Sequence, residues 1–187
     1  MRSVLVACEF SGRIRDAFRA RGFDAWSCDI RASDSQYHIR ADVRPLLQDP
    51  WDLVIAHPPC ENLAASGSWV ERDPWYVQRS VDFFWACLGA NSPHVAVENP
   101  VIRWRRHGLP PPSWSIQPWE FGHPVTKRTC FWVKNPPLAE TNVVKPRGGQ
   151  SYGGKERARR RSMTYEGIAR AIAEQWGDYL NLSFGAS

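Results

Sequence analysis

Two segments of this chain carry residues able to do covalent chemistry. Asp52-Leu53-Val54-Ile55-Ala56-His57-Pro58-Pro59-Cys60-Glu61 runs from an apolar strand into a thiol held by two prolines. Val95-Ala96-Val97-Glu98-Asn99-Pro100 runs from a second apolar strand into a carboxyl group, thirty-eight residues after the thiol. In an open α/β sheet such strand ends lie side by side at the carboxyl edge, where ligands bind. A nucleophilic Cys beside an acid is suited to covalent catalysis, the thiolate adding to the substrate while the acid handles a proton. These residue types in this setting point to an enzyme.

Elements of both kinds must position them. Ser3–Cys8 reads as a first strand, and Gly12–Arg21 as a helix with Ile14, Ala17 and Phe18 on one face. Gly22 closes that helix, and Ala25–Asp29 reads as a second strand ending in an acid. A short segment ends at Asp42 before Pro45, and a third strand covers 52–57. Residues 74–90 read as a long helix with Val77, Val81, Phe84, Trp85 and Leu88 inward, followed by a fourth strand over 94–98. Thr129–Val133 reads as a later strand and Tyr165–Leu180 as a terminal amphipathic helix. Strands alternating with helices predict an α/β fold with a doubly wound, mostly parallel sheet. Leu109-Pro110-Pro111-Pro112 and residues 135–160 read as long loops.

The chain of 187 residues, 43% apolar, fits a single domain over 1–187. It has no apolar run of membrane-spanning length and no secretory leader pattern. Five scattered cysteines do not form a disulfide framework, and a cytoplasmic location is expected. His57 and Cys60 have a metal-like spacing, but the two prolines between them and the lack of a second ligand pair predict no metal. Neither a P-loop nor a complete G-x-G-x-x-G occurs, which disfavours ATP and NAD.

The net charge of +5 is unevenly placed. Arg103, Arg105, Arg106 and His107 form one basic cluster. Lys145, Arg147, Lys155, Arg157, Arg159, Arg160 and Arg161 form another, interrupted by glycine pairs. Such clusters attract a polyanion, so nucleic acid is the expected partner. Trp69, Trp104 and Trp114 lie near the candidate site in sequence and could stack on a base. Glu9-Phe10-Ser11-Gly12, leading into the first helix, makes a candidate cofactor cradle, and Asp29 is placed to accept hydrogen bonds from ribose hydroxyls.

Phe10-Ser11-Gly12, Asp29, Pro58-Pro59-Cys60 and Glu98-Asn99 follow the order and rough spacing of motifs in the DNA cytosine-5 methyltransferases. Phe121-Gly122-His123-Pro124-Val125-Thr126-Lys127-Arg128 resembles a later motif of that family, and Met163–Ala169 stands where its last motif closes over the cofactor. The chain is most similar to the short methylase-like proteins of phages and prophages. The resemblance implies a Rossmann-like sheet of the S-adenosylmethionine-dependent methyltransferase type. It implies a Cys60 thiolate that adds to cytosine C6, with its pKa depressed if a helix follows Glu61. It also implies a Glu98 carboxyl, its pKa raised by burial, acting at ring N3. Arg128 or Lys127 would hold the base carbonyl or a phosphate. Phe10, Ser11, Gly12, Asp29, Asp42 and Pro58 would form the S-adenosylmethionine site, while Lys127, Arg157, Arg159, Arg160 and Arg161 would contact nucleic acid.

The chain departs from the family pattern in places. Arg13-Ile14 replaces the glycine-rich continuation of the first motif, His57 replaces the glycine before Pro-Pro-Cys, and Glu61 replaces the glutamine after it. Only residues 134–161 stand where the family carries a target-recognition domain. Duplex DNA, single-stranded DNA, RNA and a free cytosine nucleotide all remain open as substrates. So do amino-methyl transfer, nucleic-acid binding without turnover, and cysteine hydrolysis. His57 is expected simply to pack beside the site, and Asp42 to be either a ligand or a turn residue.

Overall fold

The computed structural model describes residues 1–66, 71–133, 138–148 and 162–182, and all structural statements concern those residues. The strands among them are β1 Ser3–Ala7, β2 Asp24–Asp29, β3 His38–Arg40, β4 Leu53–Ala56, β5 His94–Pro100, β6 Trp114–Ile116 and β7 Thr129–Val133. The helices are α1 Arg13–Arg19, α2 Pro74–Leu88 and α3 Glu166–Leu182. The strands form one sheet in the order β3-β2-β1-β4-β5-β7-β6. β1 to β5 pair in parallel, whereas β7 runs antiparallel to both β5 and β6.

The strand sequences explain the layering. Side chains alternate across a strand, and a parallel sheet covered on both faces must be apolar on both. Val4, Val6, Leu53, Ile55, Ala96 and Phe131 pack toward α1 and α3, with Phe18 and Trp176. Leu5, Ala7, Val54, Ala56, Val95, Val97 and Trp132 pack the other way, against Val81, Phe84 and Cys87 of α2. Fully burying a side chain such as Phe18 or Phe84 contributes about 2–3 kcal/mol. This is the doubly wound, mostly parallel sheet predicted from the sequence.

The departures are local. α2 buries Val81, Phe84 and Cys87, while Trp85 is 46% exposed and Val77 half-buried, so the apolar stripe is narrower than the sequence suggests. β3 and β6 have three residues each at the sheet edges, too short for a periodic signal. Residues 138–148 are strapped to the body: Val144 N–H donates to the Trp119 carbonyl and Arg147 N–H to that of Pro124. Gln175 of α3 closes a reciprocal pair with the backbone of Ala139.

The chain runs outward from β1 to β2 and β3, then crosses back to lay β4 on the other side of β1. That reversal opens a crevice at the carboxyl ends of β1 and β4. Ala7 is in register with Cys28 and with Ala56, and Ala56 with Val97. One residue further on, Asp29, Cys8, His57 and Glu98 therefore stand in a row along that edge.

Candidate functional site

The turn after β1 departs from simple alternation. Cys8 has a left-handed backbone (φ 58°), rare for a side-chain-bearing residue. It keeps Cys8 packed against the α2-side core and turns Glu9 toward α1. Glu9 is 5% exposed; its Oε1 accepts from the Ser11 hydroxyl and the Ile14 N–H, at 3.0 and 3.1 Å, and caps the helix. Its Oε2 is buried without a hydrogen-bond partner. Gly12 adopts φ 73°, and a methyl group there would collide with the Arg15 guanidinium. Arg15, 2% exposed, donates to Ser27 of β2 and pairs with Asp16. The face of Gly12 expected to open onto a ligand is thus covered by an arginine of the same helix.

The acids of this half-site differ. Asp29 Oδ1 accepts from the Arg31 N–H, and the Arg31 guanidinium lies 5.1 Å from the centre of the Phe10 ring. Asp42 is exposed, and its carboxylate is taken by Arg44 at 2.7–3.1 Å. That pairing holds the Asp42 carboxyl below the ordinary carboxylate value.

The second half-site lies at the ends of β4 and β5. His57 Nδ1 is 2.8 Å from Glu98 Oε2, with side-chain exposures of 12% and 18%. Burial works against charge on both groups, but their mutual hydrogen bond and attraction prevail. Burial lowers His57, but Glu98, and more weakly Glu9, raise it above its ordinary value, with Lys127 opposing them. Burial raises Glu98, but His57 and Lys127 outweigh it and hold the carboxyl below its ordinary value. The raised Glu98 carboxyl expected from the sequence is instead held low by its hydrogen bond to His57, which is itself raised. The same pairing corrects the expectation that His57 merely packs there. Its Nε2 is buried without a hydrogen-bond partner, as is Oε2 of Glu9, whose charge acts on it.

Asn99 ties the thiol-bearing loop to this pair. It is 1% exposed and donates through Nδ2 to the Pro58 carbonyl (3.0 Å) and to its own strand at Glu98 (2.9 Å). Cys60 is half-buried and starts a turn in which Leu63 and Ala64 N–H groups donate to its carbonyl. Residues 61–63 form a turn and not a helix, so no helix dipole at Glu61 depresses the thiol. Burial, then the charge of Glu98, push the Cys60 thiol up; Glu61 adds to this and Lys127 opposes it.

Alternation along the β7 approach separates the two basic candidates. Lys127 lines one cavity with Phe131, His57 and Glu98, and its charge acts on His57, Glu98 and Cys60. Arg128 is exposed and its charge acts on Cys130. His57, Glu98, Lys127 and Thr129 line a cavity of about 20 Å³, room for about one water. Ser162–Tyr165 and Ile168 roof it, where the last family motif is expected to close. Arg13 holds this roof by donating to the Thr164 carbonyl (2.6 Å), and His123 Nε2 accepts from Gly167 N–H (3.0 Å). A larger cleft, about 410 Å³ around Arg2, Arg21 and Phe23, lies at the opposite edge of the sheet, away from these groups.

The sequence places Glu9 in the cradle and His57 beside Pro-Pro-Cys, but it signals neither the buried, unpartnered Oε2 of Glu9 nor the pairing of His57 with Glu98, which depend on proximity at the folded edge. Trp114 is stacked on Phe131 (4.5 Å) and packed against the core, so it is not free to stack on a base. Arg157, Arg159, Arg160, Arg161 and Trp69 lie outside the described residues. Among the described residues no three or more of His, Cys, Asp and Glu are grouped to hold a metal. No described helix is long and apolar enough to cross a membrane.

No protein-family model matches the chain, and no curated protein sequence does either. Among solved structures, it is similar to a protein described as a DNA modification methyltransferase encoded within an E. coli prophage. Identity there is 16%, the TM-score 0.49, with 71% of this chain and 46% of the other covered. It is also similar to a mutant of Spodoptera frugiperda DNMT2, at 14% identity and TM-score 0.37, covering 82% and 57%. The chain spans about half the length of each. The fold is the doubly wound, mostly parallel α/β sheet expected from the sequence.

Proposed function

We propose that this chain transfers a methyl group from S-adenosylmethionine to C5 of cytosine in nucleic acid, through a covalent adduct on Cys60. The observation that carries the reading is the Asn99 tie, which fixes the loop bearing Cys60 to the strand bearing Glu98. A thiol and an acid so joined can act on one ring.

The residues at the ends of β1 and β2 fit the cofactor. The buried, unpartnered Oε2 of Glu9 suits the cationic methionine end. Asp29, with only its Oδ1 engaged by Arg31, can accept from ribose hydroxyls. Phe10 offers an apolar face to the adenine, and Ser11 and Pro58 border the same crevice. Because Arg15 covers Gly12, the approach runs over Phe10 and Ser11. Asp42, committed to Arg44, takes a lesser part. When bound, S-adenosylmethionine supplies an electrophilic methyl group.

The chain's own residues do the rest. Cys60 adds through Sγ to C6, which makes C5 electron-rich enough to take the methyl group. Electron density that reaches ring N3 is met by a proton from the His57–Glu98 pair: Nδ1 of His57 passes it to Glu98, and Glu98 to N3. The imidazole is left neutral and the Cys60 thiol proton passes to water. After methyl transfer a water takes the C5 proton and the C6–Sγ bond breaks. The N3 proton returns through Glu98 to His57, and the thiolate regains a proton from water. Lys127 lowers the cost of forming the thiolate and compensates charge at Glu98. Arg128, exposed beside this edge, reaches a phosphate more readily than the ring. The narrow cavity means that a base enters only when the Ser162–Tyr165 roof moves, and a duplex target would have to be flipped out.

The raised Cys60 thiol favours one competing reading, methyl transfer to an exocyclic amine, which needs no adduct. Incubation with methyl-labelled S-adenosylmethionine and DNA, RNA or dCMP, followed by nucleoside mass analysis, separates them. 5-Methylcytosine, and trapping of wild type but not Cys60→Ser by 5-fluorocytosine, support C5 chemistry. An N-methylated product without trapping refutes it.

A further inference from the structure

The turn after β5 carries a charge that the reaction just described does not use. Ile102 (3% exposed) and Leu109 (4%) anchor both ends of residues 102–109 in the α2-side core. Between them, His107 N–H donates to the carbonyls of Arg103 and Trp104, and Leu109 N–H to that of Trp104. The turn is therefore a fixed platform and not a solvated loop. It presents Arg105 and Arg106, both exposed, and Arg103, half-buried.

Two features mark this platform as seeking an anion. Arg2, Arg13, Arg15, Arg19, Arg21 and Arg44 each meet a carboxylate. Arg103, Arg105 and Arg106 meet none among the described residues, and Arg103 Nη2 is buried without a hydrogen-bond partner. Besides burial, the charges acting on His107 are those of Arg106, Arg103 and Arg72. Arg105 also lies 4.8 Å over the Trp104 ring, which stiffens it.

The position of the platform gives it a partner. Arg103 N–H donates to the Leu63 carbonyl (3.0 Å), Ala65 N–H to that of Val101 (2.8 Å), and Ala64 pairs with Ile102. Leu63 N–H in turn donates to the Cys60 carbonyl (3.0 Å). Two backbone hydrogen bonds thus connect the thiol-bearing residue to Arg103, and both turns share one apolar anchorage through Leu63 and Ile102. Arginines fixed beside a reactive residue suit phosphates on either side of a reacting nucleotide, because guanidinium binds phosphate oxygens bidentately.

The structure assigns Arg103, Arg105 and Arg106 as a phosphate platform that holds the backbone of a nucleic-acid strand flanking the nucleotide presented to Cys60. The assignment rests on the function proposed above and narrows its substrate to a polymer rather than a free cytosine nucleotide. Glu61, exposed next to Cys60, places a carboxylate beside this path and disfavours close passage of a phosphate on its side.

The test is anisotropy titration of the full chain with a labelled 12-nucleotide single strand, the matching duplex and the matching RNA, over a series of salt concentrations. dCMP serves as competitor. Arg105→Ala with Arg106→Ala is the main variant, since both side chains are exposed and folding is unaffected; a thermal melt checks this. Each phosphate left without its arginine should lower the log K against log salt slope by about 0.7 for a single strand or about 0.9 for a duplex. The double variant should therefore lose between one and two units of slope, and dCMP should compete in neither protein. The three polymers identify which strand type the platform prefers. An unchanged slope and affinity in the double variant would overturn the assignment, as would effective competition by dCMP. Calorimetry with S-adenosylmethionine is run alongside: loss of that heat with the platform intact would sink the methyltransferase reading alone.

Discussion

Breaking the His57–Glu98 pair should produce two different losses, depending on which partner is removed. His57→Phe leaves a carboxylate in a site built around its counter-charge. Removing one partner of a fully buried pair costs about 3–5 kcal/mol. Here the side chains are 12% and 18% exposed and Lys127 still faces Glu98, so about 2–3 kcal/mol is expected. Glu98→Gln keeps an acceptor for Nδ1 and lets His57 become neutral, at about 1 kcal/mol. Urea unfolding measures both against a domain stability of about 5–15 kcal/mol.

The pH dependence fixes the sign. Glu98 is depressed, so its contribution is present above its ordinary value of 4.5 and is lost as pH falls through the folded value. His57 is raised, so its contribution is complete below its ordinary value of 6.5 and is lost as pH rises through the folded value. The gap between wild type and His57→Phe should thus be widest between about pH 4.5 and 6.5 and should narrow on both sides. Imidazole NMR titration should place His57 above 6.5 in wild type and lower in Glu98→Gln, where burial and Lys127 act without the opposing carboxylate. A penalty near 1 kcal/mol that ignores pH, the value of one neutral hydrogen bond, would refute the charged pair. So would a His57 titration unchanged by Glu98→Gln.

Three further outcomes follow from the same geometry. Iodoacetamide at pH 8 should modify Cys60 before Cys87, whose thiol burial pushes up to about 12, and Glu98→Gln should speed the Cys60 reaction by removing a charge that raises its thiol; peptide mass mapping reads both. Gly167→Ala should destabilise by about 1–3 kcal/mol, because a methyl group would strike the Phe121 carbonyl under the start of α3; thermal melting checks it. Asp29→Ala should weaken S-adenosylmethionine binding about tenfold, the value of one strong hydrogen bond, whereas Asp42→Ala should change it less than Asp29→Ala does, since Arg44 already holds that carboxylate; calorimetry distinguishes them.

Apolar patterning alone placed the sheet and its reactive edge. Short unbroken apolar runs such as Leu53–Ala56 and Val95–Val97 fit strands covered on both faces, and an acid or a Pro-Pro-Cys at their ends then falls at the carboxyl edge. Periodicity also located α2 and α3, since a helix must bury one stripe. It could not locate β3 or β6, where three residues make no pattern. Hydrogen-bond partners, and the direction in which each buried group is shifted, came from contacts across the fold. Whether burial raises the Glu98 carboxyl or its neighbours hold it low depends on His57, forty-one residues away, and on Lys127 from the approach to an antiparallel strand. Whether Gly12 opens onto a ligand depends on where the Arg15 guanidinium folds back. Whether the backbone of Arg103 is tied to the turn that starts at Cys60 depends on the pairing of two turns. A pattern of residue types records local preference, but a pKa or a cradle is set by distances across the fold, and packing alone fixes those distances.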